Sequence, residues 1–289
     1  MNTEAHGWET WEWDESLFAG AAPYYEQGRL PYAPGLADAF AGSLDLDGRG
    51  RLLDAGCGPG TVALRLAALF EAVVGLDPDA DMLAHAAQAA AERGIANASW
   101  AHLRAEELPA NLGSFRVVTL AASFHWMDRP AVAAALATML GPGGAVVQVD
   151  APALRTEGLT AESRLGSLPF PSPPDDALDQ LRRRYLGDDR RAGQGIRNTS
   201  PSGEDAVFQQ AGFLPAETVT VPDGRAVERT ADDVVATVFS ISSTAPHLFG
   251  DRQADYEKDL REILARASPV GRFSVRLPDN RLRIWRLPT

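Results

Sequence analysis

The 289-residue chain contains a single cysteine, Cys57, and a single lysine, Lys258. One thiol excludes an intrachain disulfide and any cysteine-cluster metal site, and five scattered histidines show no metal-ligand spacing, so no metal is expected. The scarcity of lysine among 27 basic residues reflects genome composition rather than function. Against them stand 39 acidic residues, leaving a net charge of −12 at pH 7. A chain this acidic repels phosphate backbones and anionic lipid at long range, so neither nucleic acid nor membrane is an expected partner. No uninterrupted apolar run reaches the roughly 18 residues of a membrane span. The opening MNTEAHGWETWEWDE is acidic where a secretory signal would be basic and then apolar, and a cytoplasmic location is expected. With 45% hydrophobic and 23% charged residues, collagen-like, coiled-coil and wholly disordered readings fall away. The length suffices for a substantial core without covalent staples.

From position 51 to 149, short β-rich runs alternate with helical ones, the pattern of a parallel sheet flanked by helices. Strands are predicted at 51–55, 72–77, 98–103, 115–121 and 144–149. A helix at 81–93 starts at Asp79 or Asp81 and stops at Gly94. Another at 130–140 has Asp128 as N-cap and Pro130 in its first turn, with a Gly-Pro-Gly-Gly turn at 141–144 behind it. Beyond Asp150 a Pro-, Ser- and Gly-rich stretch reads as loop. Helices are then predicted at 176–186, 203–211 (Ser202 as N-cap), 231–240 (Thr230 and Asp233 as a capping pair) and 253–266, and strands at 216–221, 271–277 and 281–287. The last two are joined around Pro278-Asp279-Asn280. The expected organisation is an N-terminal lid and cofactor-contact segment (1–34), a Rossmann-like core (35–150), and cap helices with sheet-completing strands (151–289).

The densest motif is Asp54-Ala55-Gly56-Cys57-Gly58-Pro59-Gly60-Thr61, where a buried strand enters a glycine turn and a helix. Such a turn lets a ligand approach backbone amides at a helix N-terminus. The NAD fingerprint needs a third glycine at position 61, which is threonine. Asp54 instead precedes glycines at 56, 58 and 60, and points the motif at a cation rather than a pyrophosphate. Asp77, at the end of the next strand, stands where an acid can accept hydrogen bonds from both ribose hydroxyls.

On these residues the chain resembles the class I S-adenosylmethionine-dependent methyltransferases, in their small-molecule branch, over roughly residues 50–150. The resemblance implies a mostly parallel seven-stranded sheet and S-adenosyl-L-methionine as cofactor, held by Asp54, Gly56, Gly58, Gly60 and Asp77. Met82 serves either the adenine wall or a helix core. In Arg104-Ala105-Glu106-Glu107-Leu108-Pro109 the family's first acid is replaced by Arg104, leaving Ala105 or Glu106 for the adenine amino group. The segment from Tyr24 to Tyr32 is similar to the branch's Tyr…Arg-x-Pro-x-Tyr stretch. This implies that Arg29 holds the cofactor carboxylate and that Tyr24 or Tyr25 borders the methyl site. After the fourth strand, Ser123-Phe124-His125-Trp126 places His125 as the candidate general base, with ordering of the turn as its other role. Trp126 is a candidate pocket wall or a core residue.

Trp8, Trp11 and Trp13 suggest that the acidic N-terminus folds onto the body as a lid or by plain packing. Arg182-Arg183-Arg184, with Arg190, Arg191 and Arg197, reads as a solvated helix face balanced by Asp175, Asp176, Asp188 and Asp189. The hydroxyl-rich run from Phe239 to Phe249 reads as a small-molecule pocket wall or a packed helix end. The implied activity is methyl transfer to a small molecule, plausible in specialised metabolism, with oxygen placed ahead of carbon or nitrogen. The alternatives are a non-methylating cofactor-binding protein of the same fold, such as a cyclase or ligand-sensing partner, and a weaker NAD-dependent reductase.

Overall fold

The computed structural model describes residues 14, 16–152, 168–189 and 203–288, with the backbone of 191–192 and 195–196. The chain runs through α1 (Ala22–Gly28), α2 (Leu36–Ser43), β1 (Arg51–Ala55), α3 (Thr61–Leu66), β2 (Ala72–Asp77), α4 (Ala80–Glu92), β3 (Ala98–His102), β4 (Phe115–Ala121), α5 (Arg129–Met139) and β5 (Leu140–Val149). There follow α6 (Asp175–Leu186), the two-residue strands β6 (Arg191–Ala192) and β7 (Gly195–Ile196), α7 (Glu204–Gln210), β8 (Glu217–Val221), β9 (Ala226–Thr230), α8 (Ala231–Phe239), α9 (Gln253–Ala267), β10 (Arg272–Arg276) and β11 (Asn280–Arg286). Among the described residues no helix is long and apolar enough to cross a membrane.

A seven-stranded sheet of order β3-β2-β1-β4-β5-β11-β8 forms the centre. The first five strands are parallel and the last two pairings antiparallel. The central strands are apolar runs because helices cover both faces. On one side α5 and α7 pack around Phe208 and Trp285, whose indole N–H donates to Asp205 at 3.0 Å. On the other, α2 and α3 bury Phe40, Leu66 and Val147. Predicted caps appear where their chemistry requires: Asp79 accepts from the amides of Asp81 and Met82, Asp128 from Ala131, and Thr230 and Asp233 cap each other's backbone.

Two sequence expectations change. The predicted strands at 271–277 and 281–287 do not pair with each other: β10 pairs with β9, an unpredicted strand, while β11 inserts between β5 and β8. The main sheet offers β11 two partners and a buried face, whereas a local hairpin offers one. The glycines at 141–144 lie inside β5, which starts at Leu140 and whose pairing with β4 shifts register between Phe115 and Val117 of β4. Ser202 as N-cap and Trp8, Trp11 and Trp13 as a lid lie outside the described residues.

β9, β10, α6, α8 and α9 form a cap with its own core around Phe239, Phe249, Tyr256 and Phe273. Arg183 and Arg184 lie on its surface as expected, but Arg182 is only 5% exposed. It donates to Asp179 and to the carbonyls of Gly187, Asp188 and Asp189, closing the C-terminus of α6. The cap grips α1. A Cβ on Gly28 would lie 2.4 Å from the Ala236 carbonyl oxygen in α8, so Gly28→Ala should destabilise the fold by about 1–3 kcal/mol through overpacking. Gly42, in α2, faces open space. Gly42→Ala should stabilise by up to about 1 kcal/mol, and urea denaturation of the two variants should move in opposite directions.

Candidate cofactor cleft

The strand order reverses between β1 and β4, which opens a crevice beyond their carboxyl ends. Its floor is the turn after β1. The amides of Gly56 and Cys57 both donate to the Leu76 carbonyl, at 2.8 and 3.0 Å, tying the turn to β2. Gly56 has a φ of +68°, and a Cβ there would sit 2.5 Å from the Cβ of Ser123. Both backbone angle and space demand glycine at this position. Ser123 donates its hydroxyl to Ala55 at 2.6 Å, so the loop after β4 closes onto the same turn. At Gly58 nothing among the described residues lies within 4 Å of where a Cβ would stand, leaving its backbone open to a ligand.

A cavity of about 660 Å³, counted to its open mouth, lies over this floor. Gly56, Gly58, Asp77, Met82, Ala105 and Glu106 line it, so the structure brings these six predicted residues together. Asp77 accepts from the amides of Gly58 at 2.8 Å and Asp79 at 3.0 Å. An ionised carboxylate has about four acceptor sites, so about two remain for a ligand's hydroxyls. Met82 joins Ala21, Ala22, Phe18 and Tyr25 in a small apolar cluster while also facing the cavity. Glu106 accepts from the Asp128 amide at 2.9 Å and lies 3.5 Å from the Arg104 guanidinium.

Of the other predicted residues, Tyr25 and Trp126 line this cavity, whereas Asp54, Gly60, Tyr24, Arg29 and His125 do not. Asp54 is fully buried, accepting from the Thr119 hydroxyl at 2.7 Å and the Ala63 amide at 3.1 Å. It caps the N-terminus of α3, where Gly60 has no side chain to do so, and does not face a cation in the cleft. Gly60 is a packing position: a Cβ would meet the Trp100 ring at 2.7 Å. Cys57 is buried, and burial pushes its thiol well up from the ordinary range, consistent with the expected packing role. Tyr24 points to the cap and packs on Phe239 at 5.1 Å, whereas Tyr25 lines the cavity. Successive residues on a helix are about 100° apart, which separates the two rings.

Arg29 lies over the Tyr25 ring, 4.5 Å from its centroid, and donates to the Ser240 carbonyl at 2.5 Å. Its buried Nε has no hydrogen-bond partner among the described residues. It lines a neighbouring hollow with Pro59, Thr61 and Arg65, and Tyr25 forms part of both walls. In the 3₁₀ turn Phe124–Trp126, Trp126 faces the cavity and His125 does not line it. Side chains in such a turn are about 120° apart. His125 packs against Trp126 with ring centroids 4.6 Å apart, and Phe18 meets the same indole edge-on at 6.2 Å.

Sequence reasoning missed Phe18, Arg104 and Ser123 as lining residues, although the last two lay within quoted motifs. It also missed Ala122, whose φ of +53° is uncommon outside glycine and marks the sharp exit from β4. Nothing local to Phe18 distinguishes it from an ordinary apolar residue.

A methyltransferase-domain family model matches residues 52–144. The chain is 35% identical over 150 residues to the uncharacterized methyltransferase Rv0089 of Mycobacterium tuberculosis, covering 45% of this chain and 73% of that protein. It is 35% identical over 132 residues to the uncharacterized methyltransferase Rv3342 of the same organism, covering 45% and 51%. The chain thus spans about half the length of the first curated relatives it matches. The crystal structure of the YcgJ protein from Bacillus subtilis shares the fold, with a TM-score of 0.50 at 19% identity over 88% of this chain and 98% of that one. The sheet, the cleft and these relatives together place the chain in the class I S-adenosylmethionine-dependent methyltransferase family.

Burial pushes the carboxyls of both Asp54 and Asp77 up to about 6 from an ordinary 3.8, and the hydrogen bonds each accepts only partly oppose it. A folded-state value above the unfolded one means that each group stabilises the fold fully below about pH 4. That contribution is lost as pH rises through about 6. Carboxyl ¹³C titration by NMR should give both side chains midpoints near 6. Midpoints at or below 4 would show that the two acids are hydrated rather than buried.

Proposed function

We propose that the chain binds S-adenosyl-L-methionine in the cleft over Gly56 and Gly58 and methylates a small-molecule acceptor. The observation that carries this is Asp77: a buried carboxylate with open acceptor sites, beside a glycine whose missing side chain leaves the backbone approachable. Bound there, S-adenosyl-L-methionine supplies an electrophilic methyl group on a sulfonium. Asp77 accepts hydrogen bonds from the ribose hydroxyls, Met82 and Leu76 wall the adenine, and Ala105 and Glu106 border its amino group. Arg29, with its unpartnered Nε, serves the amino-acid carboxylate from the adjoining hollow. Phe18, Tyr25 and Trp126 exclude water from the mouth, and positioning with dehydration supplies much of the rate in such a displacement. A small acceptor fits the −12 charge and the cap packed beside the cleft. The proposed division remains a lid and contact segment at 1–34, a core at 35–150 and cap with closing strands at 151–289.

His125, tilted against Trp126 at 4.6 Å, acts here as a positioning residue for the indole rather than as a base. His125→Ala should then weaken cofactor binding and turnover together, and His125→Phe should restore both by returning a ring. A drop in turnover alone that Phe does not rescue, with loss of a pH-rate limb, would return His125 to the role of general base.

Calorimetry with S-adenosylmethionine, S-adenosylhomocysteine and NAD tests the cofactor assignment directly, and binding of NAD with neither sulfur ligand would overturn it. Asp77→Ala should raise the dissociation constant for S-adenosylhomocysteine by roughly 10- to 100-fold, the value of hydrogen bonds to a charged acceptor. Wild-type affinity should fall as pH drops through about 6, where protonation removes the acceptor. An acceptor library screened with radiolabelled S-adenosylmethionine then tests the small-molecule reading.

A further inference from the structure

The hollow beside the cofactor cleft, about 1030 Å³ counted to its mouth, is walled by α1, α3 and α4. Tyr25, Glu26 and Arg29 come from α1 and its C-cap, and Thr61 and Arg65 from one face of α3. Gly58 lines the cleft and Pro59 the hollow, so the glycine turn and the Tyr25 ring partition the two.

Three guanidiniums and two carboxylates line the hollow, an excess of positive charge on a chain whose net charge is −12. Both acids are exposed and engaged: Glu26 lies 3.0 Å from the Arg93 guanidinium, and Glu92 accepts from the Gln88 side-chain amide at 2.8 Å. The excess rests on Arg29 and Arg65, neither of which pairs with a carboxylate among the described residues.

Arg29 donates through Nη2 to the Ser240 carbonyl, which leaves the buried Nε facing no acceptor among the described residues. A buried donor on a charged group is costly without a partner, and an anion in the hollow would supply one. Arg65 donates to the Ala33 carbonyl at the long distance of 3.4 Å. Burial, and then the like charges of Arg225 and Arg93, hold its guanidinium below the ordinary value, opposed only by Tyr32. The charges around Arg65 are therefore cations rather than acids. Those of Arg29 and Arg65 both reach the phenol of Tyr32, a buried residue of the same wall, and so converge there. Two convergent guanidiniums without a counter-ion are complementary to a group that carries several anionic oxygens.

We propose that this hollow is an anion site in which Arg29 and Arg65 together take one carboxylate or phosphate group. Two sources carry such a group: the amino-acid end of the cofactor, reaching past Tyr25, and a separate small anion. Only the first rests on the methyl-transfer reading, and Arg65 is an added partner of Arg29 in both.

Titration calorimetry on the full chain at constant ionic strength, with inorganic phosphate, S-adenosylhomocysteine and decarboxylated S-adenosylhomocysteine as probes, tests the pair. Phosphate should bind at one site. Arg65→Gln should weaken it roughly three- to tenfold, the effect of one charge-assisted contact screened by solvent, whereas Arg65→Lys, which keeps the charge, should retain most of the affinity. Arg65 is exposed, so both variants should melt near wild type. With the cofactor as source, S-adenosylhomocysteine displaces phosphate, and Arg65→Gln weakens it while leaving the decarboxylated analogue unaffected. With a separate anion as source, phosphate binds the chain saturated with S-adenosylhomocysteine, whose own affinity does not respond to Arg65→Gln. Absence of phosphate binding, phosphate affinity indifferent to Arg65→Gln, or equal weakening of S-adenosylhomocysteine and its decarboxylated analogue would each overturn the site. The phosphate measurements need no cofactor, so they decide even where neither sulfur ligand binds and the methyl-transfer reading fails.

Discussion

A carboxylate with no exposure to water holds the cleft together. Asp54 sits at the end of the central strand and can be accommodated there only because the Ala63 amide and the Thr119 hydroxyl both donate to it. Those two bonds set the N-terminus of α3 and the fourth strand relative to the first. The paired amides of Gly56 and Cys57 on the Leu76 carbonyl add the second strand. The Ser123 hydroxyl on Ala55 then draws in the loop that carries Trp126. Three strands, a helix and two loops thus take their mutual positions from a junction of few atoms. The acid does not line the cleft, and its removal would displace the groups that do.

A second constraint acts through α1, a helix of seven residues between the core and the cap. Its C-terminal carbonyls are orphans by geometry, and the cap supplies their partners through Arg229 and the Thr237 hydroxyl. Gly28 lets the helix backbone touch α8 directly. On the opposite side Tyr25 and the preceding Phe18 face the cofactor cleft. The bonds that fasten this helix to the cap therefore also fix a wall of the cofactor cleft.

The central elements were legible because their environment leaves a strong pattern. β1, β2 and β4 match their predicted limits, since strands buried on both faces must be continuous apolar runs. Capping residues marked α4, α5 and α8 for a similarly local reason. β9 escaped notice because Ala226–Thr230 alternates between exposed and half-buried positions in a two-stranded edge, where few apolar residues are needed. The partner of β10 is non-local, and adjacency along the chain wrongly suggested β11. In the cleft, the glycine turn and Asp77 could be read because backbone angle and strand-end position constrain residue type. Neither Tyr24 against Tyr25 nor His125 against Trp126 could be separated, since each pair differs only in rotation about a short helical turn.

Composition and local pattern were thus enough to determine a parallel α/β sheet, a glycine turn suited to a non-phosphate ligand and an acid beside it. These follow from hydrophobic periodicity, glycine stereochemistry and charge, all of which act over a few residues. The direction each side chain takes from that scaffold was settled by packing between distant segments. Asp54 points to the start of α3 and to β4, where the Ala63 amide and the Thr119 hydroxyl donate to it. Arg29 and Arg65, separated along the chain, came to line one hollow because α1 and α3 border the same gap. Such juxtapositions depend on where the chain returns to itself, which no short stretch of sequence encodes.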